Sequence, residues 1–424
     1  MDGQINPQFK SWLDVKPNSD FPIQNIPFGI ASANEGPFVA TIIGDTIINL
    51  AAMAEMDFFK DLNIDHAVFS EPALNDFIEL GRPVTRSVRA RIAKLFELGN
   101  AHLKEDEDFG NRVLFKEEEV ALHIPLFIQD YTDFYSSKEH ATNIGTMFRD
   151  ANNPLLPNWR HIPVGYHGRA SSILVSGTPI VRPRGQQRPA AEGEGPQFGP
   201  SKRLDFELEM AFAIGKENEL GEPISIENAE EHIFGMVIFN DWSARDIQVW
   251  EYVPLGPFLG KSFASSISPW VVTLDALEPF RTPTPEPELP ILPYLKYEGK
   301  GNFDINLEVA IQPDGSTEKV VCNSNTKFLY WNMAQQLTHH TVNGCNMQVG
   351  DMCASGTISG QDPNSYGSML EISWGGSKSV EMNDGTERKF IHDGDTVIMR
   401  AWAQKDSLRI GFGAVASKVL PNKA

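Results

Sequence analysis

Asp205-Phe206-Glu207-Leu208-Glu209-Met210 is the stretch whose reading decides what kind of chain this is. Acidic and apolar residues alternate along it, as they do in a β-strand whose successive side chains point to opposite faces. Asp205, Glu207 and Glu209 therefore share one face, while Leu204, Phe206, Leu208 and Met210 share the other. Carboxylates crowded on one face raise each other's pKa unless positive charge sits among them. A divalent cation with oxygen ligands is the simplest neutraliser, and a solvated strand face is the plain alternative.

Further along, His232-Ile233-Phe234-Gly235-Met236-Val237-Ile238-Phe239 is a mostly apolar run that reads as a buried strand. It ends at Asn240-Asp241-Trp242-Ser243-Ala244-Arg245-Asp246-Ile247-Gln248, which places Asp241 to join Glu207 and Glu209 around a metal. Arg245 and Gln248 are three apart and share a face if a helix starts here. Lys261 follows on a turn shaped by Gly256-Pro257 and Gly260. Residues 204–261 thus collect the parts of a metal-assisted site that stabilises an anion.

With 424 residues, 41% of them hydrophobic, 22% charged and 10% aromatic, the chain has room for two or three globular domains. A formal charge of -20 argues against nucleic acid or an anionic membrane as partner, and an anionic substrate would need local Arg or Lys. Cys322, Cys345 and Cys353 are too few and too irregular for a disulfide framework or a cysteine-rich zinc site, and are expected as reduced core residues. The start, Met1-Asp2-Gly3-Gln4-Ile5-Asn6-Pro7, lacks the basic and apolar regions of a signal peptide. No apolar run approaches the roughly 20 residues that span a bilayer. A cytoplasmic protein is expected.

Residues 1–120 read as a smaller domain with no catalytic constellation, and residues 121–424 as the domain that carries the site. In the first, Gly44-Asp45 between two β-branched runs predicts a hairpin. Helices are expected over 72–80 and 83–98, the second with Val84, Val88, Ile92, Leu95 and Phe96 on one side and Arg and Lys on the other. Residues 104–119 are charged and read as a connection. Residues 186–200 read as an exposed loop and 279–293 as a proline-heavy connection. Residues 303–309 read as a strand, 326–342 as a helix and 368–374 as a strand bearing Glu371. His140 alone is more often a structural residue than a base, but a buried carboxylate such as Glu371 nearby would orient it. The glycine-rich run 349–360 has no Gly-Lys-Ser/Thr and is no Walker loop, yet it could aim the Thr357 hydroxyl at a carboxylate.

Several segments together resemble the fumarylacetoacetase (fumarylacetoacetate hydrolase) family. They are Asp130-Tyr131-Thr132-Asp133-Phe134-Tyr135, Pro163-Val164-Gly165-Tyr166-His167-Gly168-Arg169, Glu207-Leu208-Glu209-Met210 and Asn240-Asp241-Trp242-Ser243-Ala244-Arg245-Asp246. Trp250-Glu251-Tyr252-Val253-Pro254-Leu255-Gly256-Pro257, Gln335-Gln336-Leu337-Thr338-His339-His340 and Ser355-Gly356-Thr357-Ile358-Ser359-Gly360 extend the likeness over nearly the whole chain.

The resemblance implies a mainly β (α+β) chain, with an N-terminal SH3-like barrel and a C-terminal β-roll domain, forming a homodimer. It implies hydrolysis of the carbon–carbon bond of the diketo acid 4-fumarylacetoacetate to fumarate and acetoacetate, the last step of tyrosine and phenylalanine breakdown. Carried to matching positions, Asp133, Glu207, Glu209 and Asp241 would bind a catalytic Ca²⁺ or Mg²⁺. His140 with Glu371 would activate water, and Arg245, Gln248 and Lys261 would stabilise the oxyanion and carbanion. Tyr135, Arg149, Gln248, Tyr252 and Thr357, with Tyr166 nearby, would hold the substrate. The family also places a second, structural Mg²⁺ beside Lys261 and a Gly-Thr pair, whose positions here are Ala264 and Ser265; Ser265 keeps the hydroxyl, while alanine restricts the backbone if φ must be positive.

The chemistry agrees with the residue types. A metal chelating a 1,3-dicarbonyl serves as Lewis acid and template, and a histidine of unperturbed pKa about 6.5 is a suitable base. Other readings are a related oxo-acid hydrolase, isomerase or decarboxylase, a non-enzymatic Ca²⁺-binding dimer, or a glycosidase using two of the carboxylates. The dimer would leave Arg245, Gln248 and Lys261 without purpose.

Overall fold

The computed structural model describes residues 5–33 and 36–423, so residues 1–4 of the N-terminal stretch discussed above lie outside the described residues. The chain mixes helices with extensive sheets. A five-stranded antiparallel sheet in the N-terminal part runs in the order Leu114–Lys116, Thr46–Asn49, Gly36–Ile43, Gly29–Ala33, Ala121–His123. The expected hairpin is its centre, with Gly44 at the turn in the left-handed region (φ 63°). The long helix is Arg82–Phe96, and Val88, Ile92 and Phe96 face the core as the periodicity predicts. Arg89 departs from the expected polar side. It is buried, and its guanidinium donates to Asn25 O at 3.0 Å, because the segment around residue 25 crosses over that turn of the helix.

The C-terminal part is built on two sheets. The larger has the order Gly165–His167, Tyr131–Phe134, Met352–Ala354, Leu208–Ile214, Ile233–Asp241, Ser265–Ile267, Ile173–Val175, with Val272–Thr273 also paired to Ile233–Asp241. The second, five-stranded, runs Lys319–Asn325, Ile305–Gln312, Thr396–Lys405, Leu408–Leu420, Ile180–Val181. Leu208, Met210, Phe212 and Ile214 face this second sheet and share a core with Leu307, Val309, Met399 and Val415. Ala211 and Ala213 face the other way, with Val237, Phe239 and Tyr131, into the core of the N-terminal part. By the same alternation Glu209, Asp241 and Asp133 point to that N-terminal side of the large sheet.

Several expected elements take other forms. Residues 104–119 contain the helix Glu107–Val113, which Asp106 caps by accepting from Phe109 N at 3.1 Å and which anchors itself through buried Phe109 and Val113. Glu107 and Asp108, read there as part of a connection, sit in its first turn, where the helix dipole favours them. Residues 186–200 are not a simple loop, since Arg184–Gln187 pairs with Gln197–Pro200 as a two-stranded ribbon. The helix expected over 326–342 is confined to Met333–Thr341, capped by Asn332. Residues 368–374 form no strand: Met369–Ile372 is a single helical turn capped by Ser368 and followed by Gly375 and Gly376 at positive φ. The Asp205 carboxylate accepts from Met369 N at 2.7 Å and Leu370 N at 3.0 Å, taking amides that a strand would spend on a ladder. Cys322 and Cys353 are buried, Cys345 is only half-buried, and all three are free thiols.

Candidate active site

The strands deliver the carboxylates. Leu208–Ile214 pairs with Ile233–Asp241 so that Leu208 lies opposite Asn240, and Asp241 N donates to Glu207 O at 3.2 Å. Tyr131–Phe134 runs parallel to Met352–Ala354 with Asp133 opposite Ala354. Asp133, Glu209 and Asp241 are 4%, 0% and 1% exposed, and each offers an oxygen within 4.8 Å of the others. The solvated-face reading is thereby excluded. Burial first, then the neighbouring carboxylates, push Asp133 and Glu209 well above the usual carboxylate range. Asp133 Oδ1 and Glu209 Oε1 are buried with no hydrogen-bond partner. Orphaned oxygens in an all-carboxylate donor set are what a hard divalent cation requires, so these residues fit a metal.

Beside the triad runs a ladder of ion pairs. The helix Arg245–Glu251 starts directly after the short strand Ser243–Ala244, which pairs with Leu204–Asp205. Arg245 Nε donates to Asp205 Oδ2 at 2.8 Å, Nη2 to Glu207 Oε1 at 2.7 Å and Nη1 to Gln248 Oε1 at 3.2 Å. Lys261 Nζ donates to Asp241 Oδ2 at 2.5 Å and also to Glu207 Oε2. Burial pulls the Glu207 carboxyl upward, but Arg245, Lys261 and His140 outweigh it and hold it well below its usual value. Glu207 is thus engaged by both cations, whereas in the triad only Asp241 meets one, Lys261. Ser265 Oγ donates to Asp241 Oδ1 at 3.3 Å and Tyr166 OH to Asp241 Oδ2 at 3.4 Å.

A histidine–carboxylate pair closes the site. His140 lies in the first turn of Lys138–Phe148, a helix capped by Ser137, and its Nδ1 is 2.7 Å from Glu371 Oε2. Its Nε2 faces Glu207 Oε1 at 3.9 Å. Tyr135 packs edge-on against the His140 ring, with centroids 5.2 Å apart. Beyond Tyr135 opens a cavity of about 180 Å³ lined by Arg149, Leu155, Trp159 and Val164. Arg149 has no carboxylate within ion-pair distance among the described residues. The Thr357 hydroxyl is buried without a partner. Tyr252 is exposed at the end of the Arg245–Glu251 helix. Asn143, Ser359 and Ser368, which the sequence did not single out, also bind Glu371. Two of them carried a local signal: Asn143, three residues after His140 and so on its side of a helix, and Ser368, three residues before Glu371 as in a helix-capping box.

Residues 24–125 match a family model described as "Fumarylacetoacetase N-terminal", and residues 130–420 match "Fumarylacetoacetate (FAA) hydrolase C-terminal". The chain is 52% identical over 414 residues to a curated fumarylacetoacetase of Bos taurus, covering 97% of this chain and 99% of that protein. The figures are the same for the fumarylacetoacetase of Rattus norvegicus. Among solved structures, a fumarylacetoacetate hydrolase from psychrophilic Exiguobacterium antarcticum aligns with a TM-score of 0.53 at 17% identity, over 94% of this chain and 100% of that one, a likeness of fold alone.

Proposed function

The chain belongs to the fumarylacetoacetase family, and from that premise we propose that its buried acidic site hydrolyses the carbon–carbon bond of 4-fumarylacetoacetate to fumarate and acetoacetate, the last step of tyrosine and phenylalanine breakdown. The observation that carries the reading is the meeting of three buried carboxylates, two with orphaned oxygens, with a His140–Glu371 pair and two buried cations. Asp133, Glu209 and Asp241, with Glu207 beside them, would hold Ca²⁺ or Mg²⁺, which when bound supplies a Lewis acid and a template for the dicarbonyl.

The chain's own residues do the rest. Glu371 holds the Nδ1–H of His140, leaving Nε2 to take the proton of the attacking water. The hydroxide adds to the carbonyl carbon, the carbon–carbon bond breaks, and its electron pair leaves on the acetoacetate fragment, which is then protonated. Arg245 and Lys261 retain N–H donors beyond those their carboxylates use, and with Gln248 they face the developing oxyanion and carbanion. Arg149 and Tyr135 hold a substrate carboxylate, with Tyr166, Tyr252 and Thr357 completing the cradle. A purely structural Ca²⁺ site would leave the His140–Glu371 pair idle.

Finer features belong to the same reading. Ser265 keeps the hydroxyl wanted by a second, structural Mg²⁺ beside Lys261, and Ala264 is not among the residues of positive φ, which supports that site. The sheets support an SH3-like barrel followed by a β-roll; pairing of Ala121–His123 with Gly29–Ala33 supports a hand-over a few residues beyond 120. The exposed apolar run Val253, Leu255 (97% exposed) and Phe258 supports a homodimer interface. Three free thiols are consistent with a cytoplasmic enzyme, and the net charge of -20 with a protein that binds neither nucleic acid nor membrane; no helix of the described residues is long and apolar enough to cross a bilayer.

The test is the decay of the substrate's conjugated-diketone absorbance with purified protein, before and after chelation and with Ca²⁺ or Mg²⁺ restored. Decay that chelation stops and metal restores, yielding fumarate and acetoacetate, is expected. A folded, metal-loaded protein that leaves the absorbance unchanged moves the function to another oxo-acid reaction. In the same assay His140→Ala abolishes cleavage while Ca²⁺ binding survives.

A further inference from the structure

We propose that Asn143 and Ser359 are positioning residues for this hydrolysis: with Ser368 they make the Glu371 carboxylate a pure hydrogen-bond acceptor, and so fix His140 as the Nδ1–H tautomer with Nε2 turned to the site. The inference rests on the reading of His140 as the base.

Glu371 is 0% exposed and sits in a closed ring of donors. Asn143 Nδ2 donates to Oε1 at 2.9 Å, Ser359 Oγ donates to Oε1 at 2.9 Å and Oε2 at 3.0 Å, and Ser368 Oγ donates to Oε2 at 2.8 Å. His140 Nδ1 completes the ring at 2.7 Å from Oε2.

The polarity of the serines is set from outside the ring. Gly367 N donates into Ser359 Oγ at 3.0 Å, and Glu371 N donates into Ser368 Oγ at 3.3 Å. Each hydroxyl, already accepting from an amide, has its own hydrogen left for Glu371. A carboxylate surrounded by donors has no place for a proton without losing one of them, so the proton of the pair resides on His140 Nδ1. In the neutral ring this leaves Nε2 as the acceptor turned to the site.

The ring also joins the elements that carry it. His140 and Asn143 are one turn apart on the same helix and bind the same carboxylate, so the helix face is held at two points. Ser137, the cap of that helix, donates to Ser359 O at 3.1 Å and accepts from Ser359 N at 3.3 Å, which locks the loop bearing Ser359 to the start of the helix bearing His140. Partners of this outer kind typically change activity by about 10–100-fold when removed.

The experiment compares Asn143→Ala, Ser359→Ala and Ser359→Thr in the full-length, Ca²⁺-loaded protein, with His140→Ala as reference. It measures kcat and KM on the diketo acid, Ca²⁺ affinity by calorimetry and the thermal midpoint. Asn143 is half-buried, so its alanine variant keeps a folded control even if Ser359→Ala does not. Both alanine variants are expected to lower kcat by about 10–100-fold while KM and Ca²⁺ affinity stay within about threefold, and Ser359→Thr, which keeps the hydroxyl, to recover most of the rate. Unchanged kcat in folded Asn143→Ala, with His140→Ala inactive, overturns the proposal and leaves the base assignment standing. Parallel losses of kcat, Ca²⁺ affinity and thermal midpoint, with no rescue by threonine, overturn it in favour of a merely structural role. A His140→Ala protein that turns over at the normal rate removes the base and this proposal with it.

Discussion

Asp133 illustrates what the site sacrifices at the scale of a residue. Its carboxyl is buried beside Asp241 and Glu209, and burial first, then the charges of Asp241 and Glu207, raise its pKa against the pull of Lys261. Such a group destabilises the metal-free chain at neutral pH, and a bound cation would offset that cost. Asp133→Asn is therefore expected to stabilise the metal-free protein by roughly 0.5–2 kcal/mol while Ca²⁺ binding and cleavage are lost. Urea unfolding with chelator present, paired with calorimetric Ca²⁺ titration, checks both halves; a destabilised metal-free variant contradicts the account. The alternating Asp205-Phe206-Glu207-Leu208-Glu209 pattern made the acidic face legible, but not the division of labour within it. Asp205 holds a helical turn and shares Arg245, Glu207 binds both cations and Glu209 joins the triad. That division depends on which segments arrive opposite each carboxylate.

At the scale of an element, the 355–360 segment shows why glycine stands in a site loop. Gly356 has φ 77°, its N–H donates to Glu209 Oε2 at 3.0 Å, and a Cβ there would collide with the Phe134 carbonyl oxygen. Gly356→Ala must strain the loop or lift it from the Tyr131–Phe134 strand, at a cost of about 1–3 kcal/mol. Lower thermal stability together with weakened Ca²⁺ affinity is expected, because Glu209 loses its amide donor; an unchanged Ca²⁺ titration would contradict it. Hairpins and amphipathic helices were legible because their signals are local. The 368–374 segment was not. Apolar Met369, Leu370 and Ile372 around Glu371 suit a strand, and it is the Ser368 cap together with the long-range capture of two amides by Asp205 that makes them a turn of helix.

At the scale of the whole molecule, the N-terminal part is clamped to the large sheet. Phe28 and Val271 exchange both backbone hydrogen bonds, at 3.0 and 2.7 Å. Asp275 accepts from Arg82 Nη2 at 2.8 Å, and from Arg86 Nε at 2.8 Å and Nη2 at 2.7 Å. Burial pulls the Asp275 carboxyl upward, and the hydrogen bonds from Arg86 and Arg82 outweigh it, leaving its pKa below the ordinary value. A depressed folded-state pKa contributes stability above the unfolded value of about 3.9 and loses it as pH falls through the folded one. Asp275→Asn should therefore cost roughly 1–3 kcal/mol at pH 7. Its deficit relative to the unaltered chain should shrink as the pH is lowered below about 4. Unfolding curves of both proteins at pH 7 and pH 3 decide it, and a deficit independent of pH speaks against the clamp.

By itself the sequence determined the acidic alternation, the buried strand that ends in Asp241, the placing of Arg245 and Gln248 on one helix, and, through its motifs, the family. Each follows from side-chain identity and spacing within a few residues, where backbone periodicity alone decides which groups share a face. Only the tertiary structure decided that Asp133, Glu209 and Asp241 meet on the side of the sheet turned toward the N-terminal part, and that Asn143, Ser359 and Ser368 close around Glu371. Those groups are separated by up to hundreds of residues along the chain. What brings them together is the pairing order of the strands and the need of each buried polar atom for a partner, and neither is written in any one segment.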